Sequence, residues 1–356
     1  MTPKTVHPDF RLNGISFSFE DLKEVGYCLV KDGKAYEIAI GNFLMDWADG
    51  SNVIKVSTSG STGVPKKIQL KKQQMINSAL ATGKFFDLKP TNTALLCLPA
   101  DYIAGKMMLV RAMVLGLRLD DVLPDAKPLM HIKKEYDFAA MIPLQLENSL
   151  AKINVIKTII IGGAPLSNTL IAKVQDKETM IFETYGMTET ITHIAAKKIN
   201  HNLNKINYFK ALTEISLKTD ERNCLVIDAP SITTEKVITN DVVKLISETQ
   251  FEWLGRFDAI INSGGIKLNP EIIESKLTAI LDTPFFVAGI PDTILGEKLV
   301  LIMEGIVDVS VISNKMKQLK SLDKFEIPKH VFCVEKFIRT ENGKIQRSKT
   351  LSLAIK

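Results

Sequence analysis

The sequence predicts a mixed α/β fold: a large N-terminal layered α/β domain with a small β-rich subdomain, then a small C-terminal α+β domain. Three observations lead there. Between residues 53 and 182, apolar strand-like runs alternate with helix-length amphipathic stretches. From about 204 to 254 the runs become shorter and alternate in period two, as in Glu214–Leu217, Cys224–Ile227 and Val242–Ile246. Past Gly255 a compact pattern of strands and helices begins again. A chain of 356 residues has room for two domains and a large core.

Residues 1–50 mix short apolar runs with polar turns. Ile15, Phe17 and Phe19 alternate with serines and suggest a strand, while Phe43, Leu44 and Trp47 suit one helix face. The run Val53, Ile54, Val56 and the pair Ile68 and Leu70 bracket a polar stretch and read as strand, loop, strand. Lys71–Phe86 is a helix candidate, Thr93–Leu98 a buried strand stopped by Pro99, and Ala104–Leu115 a further helix. Lys157–Ile161 reads as another buried strand, ending in Gly162-Gly163-Ala164-Pro165-Leu166. A helix is expected from Ser167 and an apolar strand near Met180–Phe182. In the C-terminal part, Asn269-Pro270 is the N-cap and first residue of a helix reaching about Leu281. Strands are expected at Phe285–Ile290, Lys298–Met303 and His330–Val334, with a helix over Val309–Leu319.

Composition excludes several classes of function. The balance of 45 basic and 40 acidic residues, net +5, is a solvated surface rather than a nucleic-acid footprint, although it can help gather anionic substrates. Cys28, Cys97, Cys224 and Cys333 are far apart and read as core thiols of a reducing compartment. His7, His131, His193, His201 and His330 lack zinc-ligand spacing. The N-terminus has no signal-like apolar region, and the apolar segment Met107–Leu117, interrupted by Arg111, is too short to span a bilayer. The expectation is a soluble cytoplasmic protein with no nucleic-acid or membrane partner; the oligomeric state is left open.

Chemistry concentrates first in Ser57-Thr58-Ser59-Gly60-Ser61-Thr62-Gly63-Val64-Pro65-Lys66, where five hydroxyl residues, two glycines and a lysine fill eight of ten positions. Small residues let backbone N–H groups converge on an anion, and Lys66 adds charge, so a polyphosphate is the natural ligand. A flexible surface turn is the competing reading. The spacing fits neither a Walker loop nor the dinucleotide Gly-x-Gly-x-x-Gly. Four further stretches follow: Tyr185-Gly186-Met187-Thr188-Glu189-Thr190, Thr239-Asn240-Asp241, Gly255-Arg256-Phe257-Asp258 running on to Gly264-Gly265, and Arg339-Thr340-Glu341-Asn342-Gly343-Lys344. Each in isolation passes for a turn, a cap or a surface loop.

Together, in this order from 57 to 347, they resemble the adenylate-forming superfamily of acyl- and aryl-CoA synthetases, peptide-synthetase adenylation domains and luciferases. The resemblance implies that Thr58, Ser59, Gly60, Ser61, Thr62, Gly63 and Lys66 bind the ATP phosphates, with Gly163 and Ala164 on the adenine side. Tyr185 would stack on adenine, Asp241 accept the ribose hydroxyls, and Arg256 contact ribose or phosphate. Thr188 and Glu189 would act at the α-phosphate, with Glu189 binding Mg²⁺, and Lys344 would be the catalytic lysine. Gly264 and Gly265 would admit the pantetheine arm of CoA. Asp258 would be the pivot of a mobile C-terminal domain, dividing the chain into 1–257 and 258–356. The family's Thr-Gly-Asp is Thr-Asn-Asp here, and Asn240 is expected to preserve the turn because Asn tolerates left-handed backbone.

The short region before the loop and the segment Leu98–Lys106 are most similar to the o-succinylbenzoate–CoA ligases of menaquinone synthesis. That resemblance implies ATP and CoA as co-substrates and an acid with a second carboxylate. Tyr102 would pack on the acyl ring, and Lys106 or Arg111 would meet the carboxylate. Another aryl or acyl acid, or a non-catalytic adenine-nucleotide-binding protein, are the alternatives.

Overall fold

The computed structural model describes residues 5–57, 67–202, 207–339 and 345–355, with backbone alone at Ser57. Thr58, Ser59, Gly60, Ser61, Thr62, Gly63, Lys66 and Lys344 lie outside the described residues. The chain divides into two compact units: 1–218 with 226–237 and 246–251, and 219–225 with 238–245 and 252–356.

The first unit is built on parallel strands. Arg11–Leu12, Arg118–Asp121, Thr93–Leu96, Tyr136–Met141, Ile156–Ile161 and Met180–Gly186 lie side by side, all parallel. His193–Lys198 and Phe209–Ala211 continue the sheet antiparallel beyond Met180–Gly186. Helices Ile103–Leu115, Pro143–Ser149 and Asn168–Lys173 fall between successive strands, as a parallel sheet requires. Strands buried on both faces read as continuous apolar runs; Ile156, Ile159 and Ile161 are fully buried beside Leu95, Ala139 and Ile181. Ser167 caps the helix Asn168–Lys173 by accepting from the Leu170 N–H at 3.2 Å.

Strands Ser216–Thr219, Cys224–Asp228, Val237–Ser247 and Gln250–Arg256 form the expected β-rich segment, and each contributes residues to both units. In the second unit, Phe285–Asp292 and Gly296–Glu304 form an antiparallel hairpin, and His330–Val334 joins the second of them in parallel. Period-two alternation splits this sheet's side chains. Val287, Leu299 and Leu301 pack with Ile273, Leu277, Ile312 and Met316 of the helices Pro270–Leu277 and Val309–Gln318. Phe286, Val300 and Ile302 face Phe337, Ile345 and Leu351. Asn269 accepts from the Glu271 and Ile272 N–H groups at 3.0 and 3.4 Å, and Pro270 occupies the first helical position.

Several expectations require correction. The strand over Ile15–Phe19 is reduced to Ile15–Ser16, with Ile15 exposed and Phe17 and Phe19 half-buried. Cys97 and Cys224 are buried, but Cys28 and Cys333 are exposed and are not core thiols. The helix from Pro270 ends at Leu277 rather than near Leu281. Thr239-Asn240-Asp241 is not a turn: it lies inside the strand Val237–Ser247, with Thr239, Asp241 and Val243 buried in alternation. Among the described residues no helix is long and apolar enough to cross a membrane.

Candidate active site

Ligands of parallel sheets bind beyond the carboxyl ends of the strands, and the first unit gathers its candidate residues there. Ile156–Ile161 runs into Gly162-Gly163, where Gly163 has φ +87°. This left-handed conformation favours glycine. Gly162 N–H donates to the Met141 carbonyl at 3.1 Å. The turn is fastened by Glu183, a residue the motifs do not include: its buried carboxylate accepts from the Leu166 N–H at 3.0 Å and pairs with Lys197 at 2.8 Å. A charged residue between Phe182 and Tyr185, in a strand otherwise fit for burial, is the sequence signal that could have found it. Ala164 is exposed.

Tyr185 is half-buried near the end of Met180–Gly186. Its ring meets Phe251 edge-on at 5.0 Å and Phe209 at 5.8 Å, and those two stack on each other. The aromatic wall fixes the ring's plane. Thr188 and Glu189 follow in the 3-10 helix Thr188–Thr190, Thr188 half-buried and Glu189 exposed. A hydroxyl and a carboxylate are the hard oxygen donors that Mg²⁺ takes alongside phosphate oxygens.

Gly186 has an identifiable structural duty. A Cβ there would sit against the Thr192 carbonyl oxygen and 2.5 Å from His193 Cα. The two strands close tightly at this point, where the register shifts between His193 and Ala195. Gly186→Ala is therefore expected to cost about 1–3 kcal/mol of stability, the range for forcing extra volume into a packed site. It also displaces Thr188 and Glu189. The temperature of thermal unfolding should fall; an unchanged unfolding temperature would show that the close approach is not required.

The candidate acyl residues lie on or beside the helix Ile103–Leu115. Tyr102, half-buried, precedes its first turn and its carbonyl accepts from the Lys106 N–H at 3.1 Å. Lys106 Nζ donates to the Ala100 carbonyl at 2.7 Å and lies over the Phe43 ring at 5.4 Å. Burial holds its pKa below the ordinary lysine value. Arg111 is 1% exposed and makes no ion pair with a described carboxylate. Among the described residues its guanidinium reaches Thr82 Oγ1, Thr192 Oγ1 and His193 Nδ1, each at 3.4 Å, and Met108 Sδ at 3.8 Å. Burial brings its pKa down to about 9. Burial and then Arg111 hold His193 well below the ordinary histidine value, so this imidazole is neutral at pH 7. His193, which the sequence offers only as a histidine outside any zinc pattern, is thus part of the Arg111 environment.

In the second unit, Asp241 is buried and accepts from Trp253 Nε1 at 3.1 Å, while its own N–H donates to Thr239 Oγ1 at 3.0 Å. Arg222 donates to Asn240 Oδ1 at 3.0 Å and to the Thr239 carbonyl at 3.2 Å. Arg256 and Asp258 form a two-pronged ion pair at 2.8 and 2.6 Å, which holds the Asp258 carboxyl below its ordinary pKa. Gly264 and Gly265, at φ +60° and +80°, make the two-residue turn between Ile261–Ser263 and Ile266–Leu268. Positive φ at both central residues suits the twist of a tight hairpin.

Comparison with known proteins agrees with this architecture. Residues 53–228 match the family described as AMP-binding enzyme. An AMP-forming acyl-CoA synthetase/AMP-acid ligase II-like protein from Dyadobacter fermentans is 33% identical, with a TM-score of 0.63, covering 93% of this chain and 98% of that one. The 2-succinylbenzoate–CoA ligase of Listeria monocytogenes serovar 1/2a is 25% identical over 94% of this chain and 75% of its own length. The O-succinylbenzoate coenzyme A synthetase of Bacillus subtilis, in complex with ATP and magnesium ion, shares the fold at 20% identity and a TM-score of 0.73, over 94% of this chain and 82% of that one. With a solved relative a third identical across nearly its full length, this chain belongs to the AMP-binding enzyme family.

Proposed function

We propose that the protein is an AMP-forming ligase that joins o-succinylbenzoate to CoA through an acyl-adenylate, a step of menaquinone synthesis. In the first half-reaction a carboxylate oxygen attacks the α-phosphorus of ATP; the bond from that phosphorus to the bridging oxygen breaks and pyrophosphate leaves. In the second, the CoA sulfur attacks the acyl carbonyl, the acyl–phosphate oxygen bond breaks, AMP leaves and the thiol proton passes to solvent. Displacement at phosphorus relies on positioning and charge stabilisation.

Thr188 and Glu189 take the α-phosphate side, and Glu189 would hold Mg²⁺, which supplies charge neutralisation to the phosphates. Tyr185, braced by Phe209 and Phe251, stacks on adenine. Asp241, Arg256, Gly163, Ala164 and the 58–66 loop complete the nucleotide's contacts, and Gly264 and Gly265 admit CoA. Lys344 stabilises the adenylation transition state. Residues 258–356 act as a domain that turns about Asp258 between the two half-reactions.

The observation that carries the choice of acid is Arg111. A guanidinium buried without a carboxylate is expensive, and a second carboxylate on the substrate would offset that cost. Lys106 is the second candidate, though its ammonium is already engaged by the Ala100 carbonyl. The names of the curated relatives point to the same acid.

Mass spectrometry after incubation with ATP, Mg²⁺, CoA and o-succinylbenzoate is expected to show AMP, pyrophosphate and the succinylbenzoyl thioester. Thioester from benzoate or a fatty acid, with none from o-succinylbenzoate, would replace the acid and keep the ligase. ATP binding with no adenylate from any acid would favour a nucleotide-binding protein without catalysis.

A further inference from the structure

The turn bearing Thr188 and Glu189 is fastened by a side chain with no part in the reaction described above. Thr190 is fully buried. Its Oγ1 accepts from the Met187 N–H at 3.1 Å, and its own proton faces two carbonyls, Met187 O at 3.0 Å and Thr192 O at 2.8 Å. One hydroxyl therefore ties the residue before the 3-10 helix to the second residue beyond it. The next residue shows what it holds. Ile191 has φ +67° and ψ −59°, and the Thr192 N–H donates back to the Thr190 carbonyl at 2.7 Å. This is a positive-φ γ-turn, a rare and strained geometry, and for a β-branched residue a genuine outlier. The Ile191 side chain is buried, and Gly186 admits the Thr192–His193 backbone from the facing strand. Strain of this kind persists only where the surroundings over-determine it, and it gathers where geometry matters for function.

We propose that Thr190 is a positioning residue for adenylation: its buried hydroxyl pins the 187–192 turn so that Thr188 and Glu189 present their oxygens to the magnesium–triphosphate. The proposal rests on the ligase reading for the identity of the ligand, and on the hydroxyl's three contacts for the mechanism. The hydroxyl holds both ends of the turn, whereas the methyl group only fills space, so a substitution that removes one and keeps the other separates positioning from packing.

Three variants test it: Thr190→Val keeps the shape without the hydroxyl, Thr190→Ser keeps the hydroxyl, and Thr190→Ala lacks both and serves if the valine chain does not fold. Pyrophosphate exchange is measured against MgATP and against the acid, and ATP binding is measured by calorimetry with Mg²⁺ and with EDTA. The valine chain is expected to lose about tenfold or more in kcat/KM for MgATP while KM for the acid stays within about twofold, and serine is expected to recover to within about threefold. The gain in ATP affinity that Mg²⁺ gives the parent protein should shrink in the valine chain and return in the serine chain. Equal losses in valine and serine chains, or a magnesium gain intact in the valine or alanine chain, would overturn the proposal. A parent protein that exchanges no pyrophosphate with any acid would sink the ligase reading alone, since the calorimetric comparison would still decide what Thr190 does.

Discussion

Lys344→Ala is expected to abolish acyl-adenylate formation while leaving ATP binding and the transfer from a supplied acyl-adenylate to CoA intact. Losing one donor aimed at the charge of a transition state costs about 10²–10³ in rate, and this lysine is assigned to the adenylation step only. Residues described on either side of it are firmly tied. Arg339 pairs with Glu304 at 2.7 Å and bridges to Ile345. The Gln346 N–H donates to the Ile338 carbonyl at 2.8 Å. Arg347 grips Glu274 through both nitrogens at 2.8 and 2.7 Å, and Glu274 also accepts from the Val287 N–H at 2.9 Å. Arg347 lies over the ring of Phe286, a fully buried core residue. For any group that acts on a transition state, a misplacement of about 1 Å can cost 10²-fold. Single-turnover assays of each half-reaction, run beside equilibrium ATP binding, check the expectation. Unchanged adenylation would remove the lysine's role; equal loss in both half-reactions would assign it to the CoA step as well.

The scaffold is legible in the sequence where its physics is local. Thr93–Leu96 and Ile156–Ile161 show as apolar runs because both faces of the sheet are covered, and the caps at Ser167 and Asn269 accept the N–H groups their side chains suit. The tight turn at Gly264-Gly265 follows from composition as well. What escapes depends on partners distant in sequence. The strand Tyr136–Met141 is masked by Asp137, whose carboxylate is taken up by the Thr93 N–H at 2.8 Å and by Lys157 at 2.7 Å. Glu183 matters through Leu166 and Lys197, and Thr190 through the strand that closes on Gly186. Asn240 suggests a turn by residue type, but the buried alternation of Thr239, Asp241 and Val243 is the stronger constraint, and Arg222 occupies the Asn240 side chain. Arg111 is instructive in a different way. A helix apolar all round is buried all round, so the residues from Met107 to Val114 already required this arginine to enter the core.

Arg111→Met is expected to stabilise the fold and to impair use of a dicarboxylate. The guanidinium is buried with four long contacts and no described anion. Replacing a buried charge by an apolar side chain of similar length is often neutral or stabilising by about 1–4 kcal/mol. Burial opposes the charged form of this guanidinium, and arginine stays charged across the working pH range, so the burial cost and the advantage of methionine persist throughout it. His193 makes stability fall on the acid side: its pKa is held well below 6.5 in the fold, so as pH falls below 6.5 the unfolded chain takes up a proton that the folded chain refuses, and stability declines. For catalysis, removing one partner of a buried charge pair costs about 2–5 kcal/mol. The methionine variant should therefore lose about 10²-fold or more in kcat/KM for o-succinylbenzoate, and little for a monocarboxylate such as benzoate if that acid is used at all. Denaturant unfolding across pH 5–10, paired with kinetics on the two acids, separates the readings. A less stable variant with unchanged discrimination between acids would make Arg111 a structural residue. A more stable variant that has lost the dicarboxylate would show a stability cost retained for the substrate.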